Sequence, residues 1–392
     1  MERRAEAGVE RQAFSGKAAI AGVGYTRFSR ESGRTVLDLT MEAVHAAVAD
    51  AGLERRDVDG LLSYALSDSV PTHMVARMLG LAEHGWTNDY YGGGSQAAAI
   101  LGDAAMVVSA GLAETVVVYR ALNGRSGKRM GQIALGASDG MEEQFLTPYG
   151  FRGPVNLFAL AAQRYLHDRG IAPDDLGPLV VRQRAKAVAN PKALLRDPLT
   201  IDDYRAAPMI ASPLRRLDCC LETDAACAIV VTTPDRARAL RNRPVHVLGA
   251  IRAGGRGAGA MDKAGDDPAR IFSAHVAPRF YAATGVAPAD IDLVQCYDAY
   301  SYLILQQLED FGFVPPGEVA DFAAAGEAGR GFALNTNGGL LSEGYVHGLN
   351  NVVEAVEQLQ GKAGDRQVEA ATALCTGFGG NFGSALLLGL EA

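Results

Sequence analysis

Apolar residues follow strand-like and helix-like spacings in turn along most of this chain. The segment KAAIAGVGYTRF (17–28) is a short apolar run typical of a buried strand. The next segment, TVLDLTMEAVHAAVADAGL (35–53), carries apolar residues at helical spacing and a glycine near its end that favours a helix stop. A turn and a second apolar run, ERRDVDGLLSYAL (54–66), follow. This alternation predicts mixed, largely parallel β-sheets with helices packed on their faces.

The same helix–turn–strand unit recurs late in the chain. DAGLERRDVDGLL (50–62) and ATGVAPADIDLVQ (283–295) share the pattern G-x-x-x-x-D-[VI]-D at the same spacing. A looser third copy, DRGIAPDDLGPLV (168–180), leaves open that the pattern is a common connector. Because the first two copies stand in equivalent contexts, we predict two similar α/β halves, residues 1–245 and 246–392.

The region from 121 to 216 differs from the rest, because its apolar periodicity is weak and glycine, proline and charged residues are frequent. Helix-like stretches such as VNLFALAAQRYLHDRG (155–170) still occur within it. We therefore predict that residues 121–216 form a large insertion in the first half, a loop domain that lies over the functional site.

Composition and charge exclude several classes of protein. The formal net charge of −8 over 392 residues argues against a surface that tracks nucleic-acid phosphates. The five cysteines are odd in number, all lie after residue 218 and include no C-x-x-C pair, so neither a disulfide framework nor a zinc site is predicted. No apolar run reaches the ~20 residues that span a bilayer, and the charged start (1–16) does not resemble a signal peptide. We predict a cytoplasmic enzyme with a disordered start and without membrane or nucleic-acid partners.

Four glycine-containing stretches carry the candidate chemistry. The first, NDYYGGGSQAAAILGDAAMVVSAGLAETVVV (88–118), predicts a strand, a tight turn of small residues, an alanine-rich helix and another strand. This arrangement resembles the nucleophile elbow of the thiolase superfamily, where a cysteine at the helix start attacks the substrate because the helix N-terminus lowers its pKa. Here that position falls on Gly92, or on Tyr91 if the alignment shifts by one residue, and neither can form a thioester. Ser95 is a nearby hydroxyl, but no adjacent base is evident in the sequence.

Three further stretches resemble thiolase loops in the family's order and spacing, so the resemblance covers nearly the whole chain. In VQCYDAYSYLILQQLEDFGF, Tyr297 takes the place of the histidine in the H-D-x-F motif of sterol-carrier-protein-type thiolases, and Asp298 is retained. In NTNGGLLSEGYVHGLNN, Tyr345 takes the place of the usual histidine, and His347 follows two residues later. In CTGFGGNFGSALLL, Cys375 lies where many thiolases keep an acid/base cysteine.

The cysteine and both histidines are absent while the loop glycines remain, a combination that resembles the lipid-transfer-protein-type steroid side-chain aldolases of the thiolase superfamily. That resemblance implies a five-layer αβαβα fold and a separate small OB-fold protein as partner. It also implies a homodimer, and the strands AETVVVYRA and WTNDYYGG are apolar or aromatic enough to be buried at its interface.

The same resemblance implies a reaction. A β-hydroxyacyl-CoA with a tertiary hydroxyl, such as the 17-hydroxyl of a steroid, would be cleaved to a ketone and propionyl-CoA. The CoA thioester is then the substrate, and no covalently bound cofactor or metal is implied. A retro-aldol step needs a base for the hydroxyl, an acid for the carbanion and donors for the enolate oxygen, but no nucleophile.

We assign these roles to residues of the matching motifs. Tyr345 is predicted as the base and Tyr297 as the acid, with the reverse assignment left open. The predicted donors to the thioester oxygen are the backbone N–H groups of Gly92, Gly379 and Gly380, and the candidate accessory residues are Asp298, His347 and Cys375.

Two other classes of function stay open from the sequence. One is a diverged thiolase or acyltransferase that uses Cys375 or Ser95, which labelling with a thiol-reactive acyl-CoA analogue would detect. The other is a non-catalytic acyl-CoA-binding subunit, whose glycine loops would bind the ligand without turnover in the presence of any partner.

Overall fold

The computed structural model describes residues 12–81, 83–127, 129, 147–151, 153–255 and 269–391. Residues 1–11 of the predicted disordered start lie outside these ranges. The residues that follow are packed onto the fold, because the Gln12 side chain exchanges hydrogen bonds of 2.7 and 2.8 Å with the backbone of Ala250, and the Phe14 ring is buried. The prediction of a disordered start was therefore wrong for residues 12–16.

The N-terminal half is built around a five-stranded sheet. In chain order, the strands of this half are β1 (Ala19–Tyr25), β2 (Gly60–Ala65), β3 (Trp86–Tyr91), β4 (Thr115–Asn123), the separate hairpin strands β5 (Met209–Ala211) and β6 (Leu214–Arg215), and β7 (Asp224–Thr232). The sheet has the order β3-β2-β4-β7-β1. Strand β2 is parallel to β3 and β4, whereas β7 is antiparallel to β4 and β1.

The C-terminal half repeats this sheet strand for strand. Its strands are β8 (Val245–Gly254), β9 (Leu293–Gln295), β10 (Ala333–Leu334), β11 (Thr372–Phe378) and β12 (Phe382–Gly389), in the order β10-β9-β11-β12-β8. Strand β9 is parallel to β10 and β11, and β12 is antiparallel to β11 and β8. The prediction of two similar halves is confirmed by this repeat, while the boundary at 245/246 stays a prediction.

The two half-sheets join along β1 and β8. Ala19 pairs with His246 and Ile20 with Val245, so the ten strands form one continuous sheet. The sequence analysis did not predict this join, because two residue pairs leave no pattern in the apolar periodicity.

Helices cover the outer faces of both half-sheets and fill the space between them. The helices of the described residues are α1 (Val36–Ala51), α2 (Thr72–Leu79), α3 (Ala99–Ser109), α4 (Pro154–Arg169), α5 (Gly177–Val188), α6 (Ile201–Ala206), α7 (Pro234–Ala239), α8 (Ser273–Thr284), α9 (Ser301–Asp310), α10 (Val319–Ala325), α11 (Gly339–Ser342) and α12 (Leu349–Leu359). Helices α1 and α2 pack on the N-terminal sheet, α3 and α12 lie between the halves, and α8 and α9 pack on the C-terminal sheet. This order of layers is the predicted five-layer arrangement.

Strand β4 shows how the layers follow from the sequence. Val116 and Val118 pack in the central layer, whereas Val117 and Tyr119 pack in the layer of α1 and α2, because successive side chains of a strand point to opposite faces. Strand β4 lies between β2 and β7, so the prediction that it is buried at a dimer interface was wrong. Its apolar character reflects burial on both faces within one chain, and β3 forms the edge of the sheet.

The insertion packs on the C-terminal half and reaches the candidate site. Leu179 of α5 shares a core cluster with Leu308 of α9. The Phe158 ring of α4 lies 5.2 Å from the Phe378 ring, which lies 6.1 Å from the ring of Tyr297. Residues 128, 130–146 and 152 of the insertion lie outside the described ranges, and its predicted bounds of 121 and 216 stay a prediction.

Within the part of the chain that the structure describes, no helix is long and apolar enough to cross a membrane. The same residues contain no group of histidine, cysteine, aspartate and glutamate side chains that could hold a metal ion. The cytoplasmic location stays a prediction.

Candidate active site

The elbow predicted from the sequence lies between β3 and α3 and contacts one of the candidate tyrosines. Strand β3 ends at Tyr91, and a short helical turn, Gly94–Gln96, leads towards α3. A Cβ atom at Gly94 would lie only 2.2 Å from the hydroxyl oxygen of Tyr297. The phenol therefore occupies the space that a side chain at the elbow would need.

The elbow residue that faces this tyrosine is Gly94, whereas the sequence alignment put the nucleophile position at Gly92 or Tyr91. The Tyr91 side chain is 81% exposed, and a Cβ atom at Gly92 would meet the Gln96 side chain. The Gly92 N–H donates to the carbonyl of Ala65 at 3.0 Å, so this group is already used by the fold. The assignment of the nucleophile position to Gly92 or Tyr91 stays a prediction, because three consecutive glycines give an alignment no side chain to match.

Tyr297 and Tyr345 meet in the structure although 48 positions separate them in the sequence. Their hydroxyl oxygens are 2.7 Å apart, and their ring centroids are 6.2 Å apart at an interplanar angle of 76°. The backbone N–H of Tyr297 donates to Thr376 Oγ1 at 2.8 Å, and that of Tyr345 donates to Thr223 Oγ1 at 3.0 Å. The predicted convergence of the two hydroxyls is confirmed, and their roles as acid and base stay a prediction.

Burial raises the pKa of both phenols well above the ordinary value of 10. For Tyr345, the hydrogen bond with Tyr297 and the charge of Arg120 lower the pKa, but they do not offset burial. Neither phenol therefore rests as a phenolate at neutral pH. A proton that one of them takes from a ligand has to be passed on rather than stored.

Asp298 joins the two loops that carry the tyrosines. Its carboxylate is fully buried and accepts hydrogen bonds from the N–H groups of Leu340 and Leu341, at 2.8 and 3.3 Å, in the short helix α11. Burial raises the pKa of Asp298 to about 7, although these two N–H groups act to lower it. A Cβ atom at Gly339 would lie 2.0 Å from the carboxylate, so this close approach requires glycine. Asp298 thus holds one tyrosine loop against the other.

His347 lies beside Tyr345, with the ring centroids 4.9 Å apart. Its Nδ1 accepts hydrogen bonds from the Arg120 guanidinium, at 3.1 Å from Nε and 2.6 Å from a terminal nitrogen. Arg120 is fully buried and pairs with Asp68 at 2.7 Å. Burial and the Arg120 charge lower the pKa of His347 to about 3, so the imidazole is neutral.

A buried ionic network lies against the loop of Tyr345. Lys192, from the insertion, lies 2.5 Å from Glu357, 3.6 Å from Glu354 and 3.7 Å from Glu343. Arg366 adds a second cation, 2.9 Å from Glu354. Burial alone would lower the pKa of Lys192, but the three carboxylates raise it well above its ordinary value. The network ties the insertion to Glu343, which precedes the tyrosine by two residues.

The sequence analysis missed Arg120, Asp68 and Lys192 as residues of the site. Arg120 could have been found from the sequence, because a charged residue inside the apolar run VVVYRALN is unusual for a strand covered on both faces. No sequence pattern points to Lys192, because its nearest partner, Glu357, is 165 positions away.

The C-terminal glycine loop packs on the elbow. A Cβ atom at Gly379 would lie 2.9 Å from the Cβ of Ser95. Gly380 has a φ of +82°, and its carbonyl accepts a hydrogen bond from the N–H of Phe272 at 3.0 Å. The use of the Gly379 and Gly380 N–H groups as donors to a thioester oxygen stays a prediction.

Cys375 lies on β11 in the central core layer and is fully buried. Burial raises the pKa of its thiol, which disfavours the thiolate that nucleophilic attack requires. This environment does not favour Cys375 as a reactive group.

Known proteins similar to this chain match along almost its whole length. Residues 259–391 match the family model described as thiolase C-terminal domain-like. The chain is 39% identical over 387 residues to a steroid side-chain-cleaving aldolase of Thermomonospora curvata, covering 96% of this chain and 98% of that protein. It is 40% identical over 396 residues to a 17-hydroxy-3-oxo-4-pregnene-20-carboxyl-CoA lyase of Mycobacterium tuberculosis, covering 96% of this chain and all of that protein. The solved Ltp2-ChsH2(DUF35) aldolase superposes with a TM-score of 0.89 at 38% identity, covering 96% of this chain and 99% of that chain.

Proposed function

Because the chain belongs to the thiolase superfamily, and within it to the steroid side-chain-cleaving aldolases, we propose that it is a retro-aldolase acting on a steroid CoA thioester. Its substrate is a β-hydroxyacyl-CoA with a tertiary hydroxyl, the 17-hydroxyl of the steroid, and its products are a ketone and propionyl-CoA. The names of the two relatives support this choice, since one cleaves a steroid side chain and the other acts on a 17-hydroxy pregnene carboxyl-CoA.

The observation that carries this proposal is the 2.7 Å contact between the hydroxyls of Tyr297 and Tyr345, next to the turn at Gly94, which has no side chain. A thiolase needs a thiolate at this turn, and a glycine provides no nucleophile. Two hydroxyls in contact provide a proton acceptor and a proton donor. These are the two functions that a retro-aldol step requires of its acid and base.

The proton moves through the tyrosine pair in a single pass. Tyr345 accepts the proton of the substrate hydroxyl as the C–O bond becomes a carbonyl, and the carbon–carbon bond breaks with its electron pair passing into the thioester enolate. Tyr297 gives its proton to the α-carbon and receives one from Tyr345, so both phenols end as they began. Because burial raises both pKa values, a concerted transfer avoids a free phenolate in the site.

Two alternatives have weaker support. A diverged thiolase that uses Cys375 would need a thiolate in the fully buried central layer. A non-catalytic acyl-CoA-binding subunit would have no use for two tyrosine hydroxyls in hydrogen-bonding contact, and it would show no turnover with any partner.

The assembly that we propose is a homodimer that works with a separate small OB-fold protein. The name of the solved aldolase joins two components, Ltp2 and ChsH2(DUF35), and this chain covers 99% of the chain that it matches there. Co-expression with a candidate OB-fold protein, followed by an assay for propionyl-CoA release, tests whether the partner is needed.

The tyrosine pair is tested by removing one hydroxyl at a time. Tyr297→Phe and Tyr345→Phe keep the ring packing, and each should lower kcat by about 10²–10⁴-fold, the effect of losing a general acid or base. The KM for the acyl-CoA should change little, because the hydroxyls act on the reacting atoms rather than on the CoA portion. Steady-state release of propionyl-CoA measures both constants.

Matched controls separate this outcome from a structural effect. Tyr281→Phe also removes a partly buried hydroxyl, which donates to the carbonyl of Phe311, and it should cost about 1 kcal/mol of stability while leaving kcat near normal. Cys375→Ala should likewise retain most activity. If Cys375→Ala abolished turnover while both tyrosine variants stayed active, a thiolase-like mechanism would replace the aldolase proposal.

A further inference from the structure

His347 turns one imidazole nitrogen towards a buried cation. Its Nδ1 accepts hydrogen bonds from Arg120, and a guanidinium can only donate, so the proton of the neutral ring lies on Nε2. Arg120 cannot turn away, because it also donates to the carbonyl of Ala121 at 2.7 Å and pairs with Asp68. The fold therefore selects the tautomer with its N–H on the opposite side of the ring.

The opposite side of the ring faces the glycine turn of the elbow. A Cβ atom at Gly93 would lie 3.5 Å from His347 Nε2, and one at Gly94 would meet the Tyr297 hydroxyl. Among the described residues, none accepts a hydrogen bond from Nε2. The backbone of His347 has a φ of +48°, which residues other than glycine rarely adopt, and the Tyr64 hydroxyl donates to its carbonyl at 3.0 Å. The strained backbone and these hydrogen bonds hold the N–H side of the ring against the glycine turn.

We infer that His347 is a catalytic residue whose Nε2–H donates a hydrogen bond to the thioester oxygen as enolate charge develops there. This inference rests on the proposed function and adds a donor that the proton relay lacks. Tyr345 accepts the proton of the substrate hydroxyl and Tyr297 protonates the α-carbon, so neither tyrosine is available to donate a hydrogen bond to the thioester oxygen. The Arg120 cation behind the ring polarises the N–H, while the imidazole itself stays neutral and keeps its proton.

Two amide variants separate this role from a structural one. Asparagine at 347 suits the positive φ and keeps an acceptor for Arg120, but its side chain is too short to present an N–H at the Nε2 position. Glutamine reaches that position. We expect His347→Asn to lower kcat by about 10²–10³-fold, as loss of one oxyanion donor does, and His347→Gln to retain more of kcat than His347→Asn. A residue that only supports the fold gives the opposite order, because asparagine fits the backbone better.

Ligand binding gives a second measurement that does not need turnover. Carboxymethyl-dethia-CoA carries a carboxylate where the enolate oxygen forms, and S-propyl-CoA carries no oxygen there. In calorimetric titrations, His347→Asn should weaken binding of the carboxylate analogue by about 10- to 100-fold, the range for a hydrogen bond to a charged group, and leave S-propyl-CoA within about twofold. His246→Asn, which alters a buried histidine on β8, is the matched control and should change neither affinity.

The outcomes distinguish this inference from the proposed function. Equal affinity of the wild type and His347→Asn for the carboxylate analogue would overturn the role of His347. If the wild type shows no turnover but His347→Asn still binds the carboxylate analogue more weakly than the wild type does, the aldolase proposal is overturned and the role of His347 as a donor stands. If His347→Asn does not fold, His347→Gly, which tolerates the same φ, serves in both measurements.

Discussion

At the scale of single residues, a largely buried tyrosine pair handles a proton differently from the histidines it replaces. A histidine with an ordinary pKa near 6.5 can rest in either protonation state at neutral pH. Burial keeps both Tyr297 and Tyr345 protonated, and the 2.7 Å contact between their hydroxyls gives a proton a short path from one to the other. Such a pair suits a reaction in which a proton is taken and given back within one step.

This arrangement predicts that the tyrosine pair itself adds no pH dependence to kcat near neutrality. Burial moves the pKa of Tyr297 and Tyr345 upward and that of His347 down to about 3, so none of them titrates between about pH 6 and 9. Asp298, whose pKa burial raises to about 7, is a neighbouring group that does. We therefore expect kcat of Asp298→Asn, measured by propionyl-CoA release, to be constant across this window. A bell-shaped profile in this variant would contradict the relay, because it would mean that one phenol titrates near neutrality.

Motif spacing located the tyrosines but not the residues that tune them. Tyr297 and Tyr345 each stand at a fixed place in a glycine-containing motif, so they could be identified without coordinates. Arg120 acts on His347 across 227 positions, and only the order of strands in the sheet brings the two together. Three glycines stand in a row at the elbow, so spacing alone could not show that Gly94 is the one that faces Tyr297.

At the scale of elements, the loop that carries Tyr345 is short and is held from several sides. Helix α11 has four residues, too few to be stable alone. The segment after β6 lies along it, since the Leu221 N–H donates to the carbonyl of Leu340 at 3.1 Å and Thr223 Oγ1 accepts from the N–H of Tyr345. Asp298 and the ionic network around Lys192 supply the remaining contacts. Sequence reasoning could predict the loop, but not these supports, which come from the insertion and from other motifs.

Among the contacts that hold the Tyr345 loop, the ionic network around Lys192 should contribute most to the free energy of unfolding. Lys192→Met leaves Glu343, Glu354 and Glu357 buried with Arg366 as their remaining cation, and removing one partner of a buried ion pair costs about 3–5 kcal/mol. Urea denaturation at fixed protein concentration measures this loss.

A surface ion pair provides the matched control for this substitution. Lys362→Met removes the pair with Asp50, in which both side chains are partly exposed, and it should cost about 0–1 kcal/mol. If the two lysine variants were equally stable, the buried network would not support the Tyr345 loop in the way described.

At the scale of the whole molecule, the repeated sequence pattern and the repeated sheet agree. The two copies of G-x-x-x-x-D-[VI]-D lead into β2 and β9, which occupy equivalent places in their half-sheets. The resemblance inferred from four motifs is confirmed by relatives at 39% and 40% identity over nearly the full chain. The prediction that β4 lies at a dimer interface was wrong, because apolar composition alone does not distinguish an interior strand from an interface strand.

Strand β3 is the open edge of the N-terminal sheet, and its surroundings are apolar. Trp86 on β3 is 38% exposed and Met78 on α2 is 54% exposed, and Met74 on the same helix is also exposed. An unpaired strand edge beside exposed apolar side chains is a template for pairing with another chain. We propose that β3 pairs with its copy in a homodimer, which would cover both the edge and these side chains.

Charge placed on this surface should separate the two subunits. The double variant Met78→Lys with Trp86→Lys brings like charges together across the two-fold axis, and like charges at an interface oppose association. Light scattering at micromolar concentration should give a mass of twice 41.2 kDa, the mass of one chain, for the wild type. The double variant should give the mass of a single chain. Leu160→Lys on α4, where the side chain is 55% exposed, is the matched control and should leave the dimer intact. A monomeric wild type, or a double variant that stays dimeric, would remove β3 as the dimer strand.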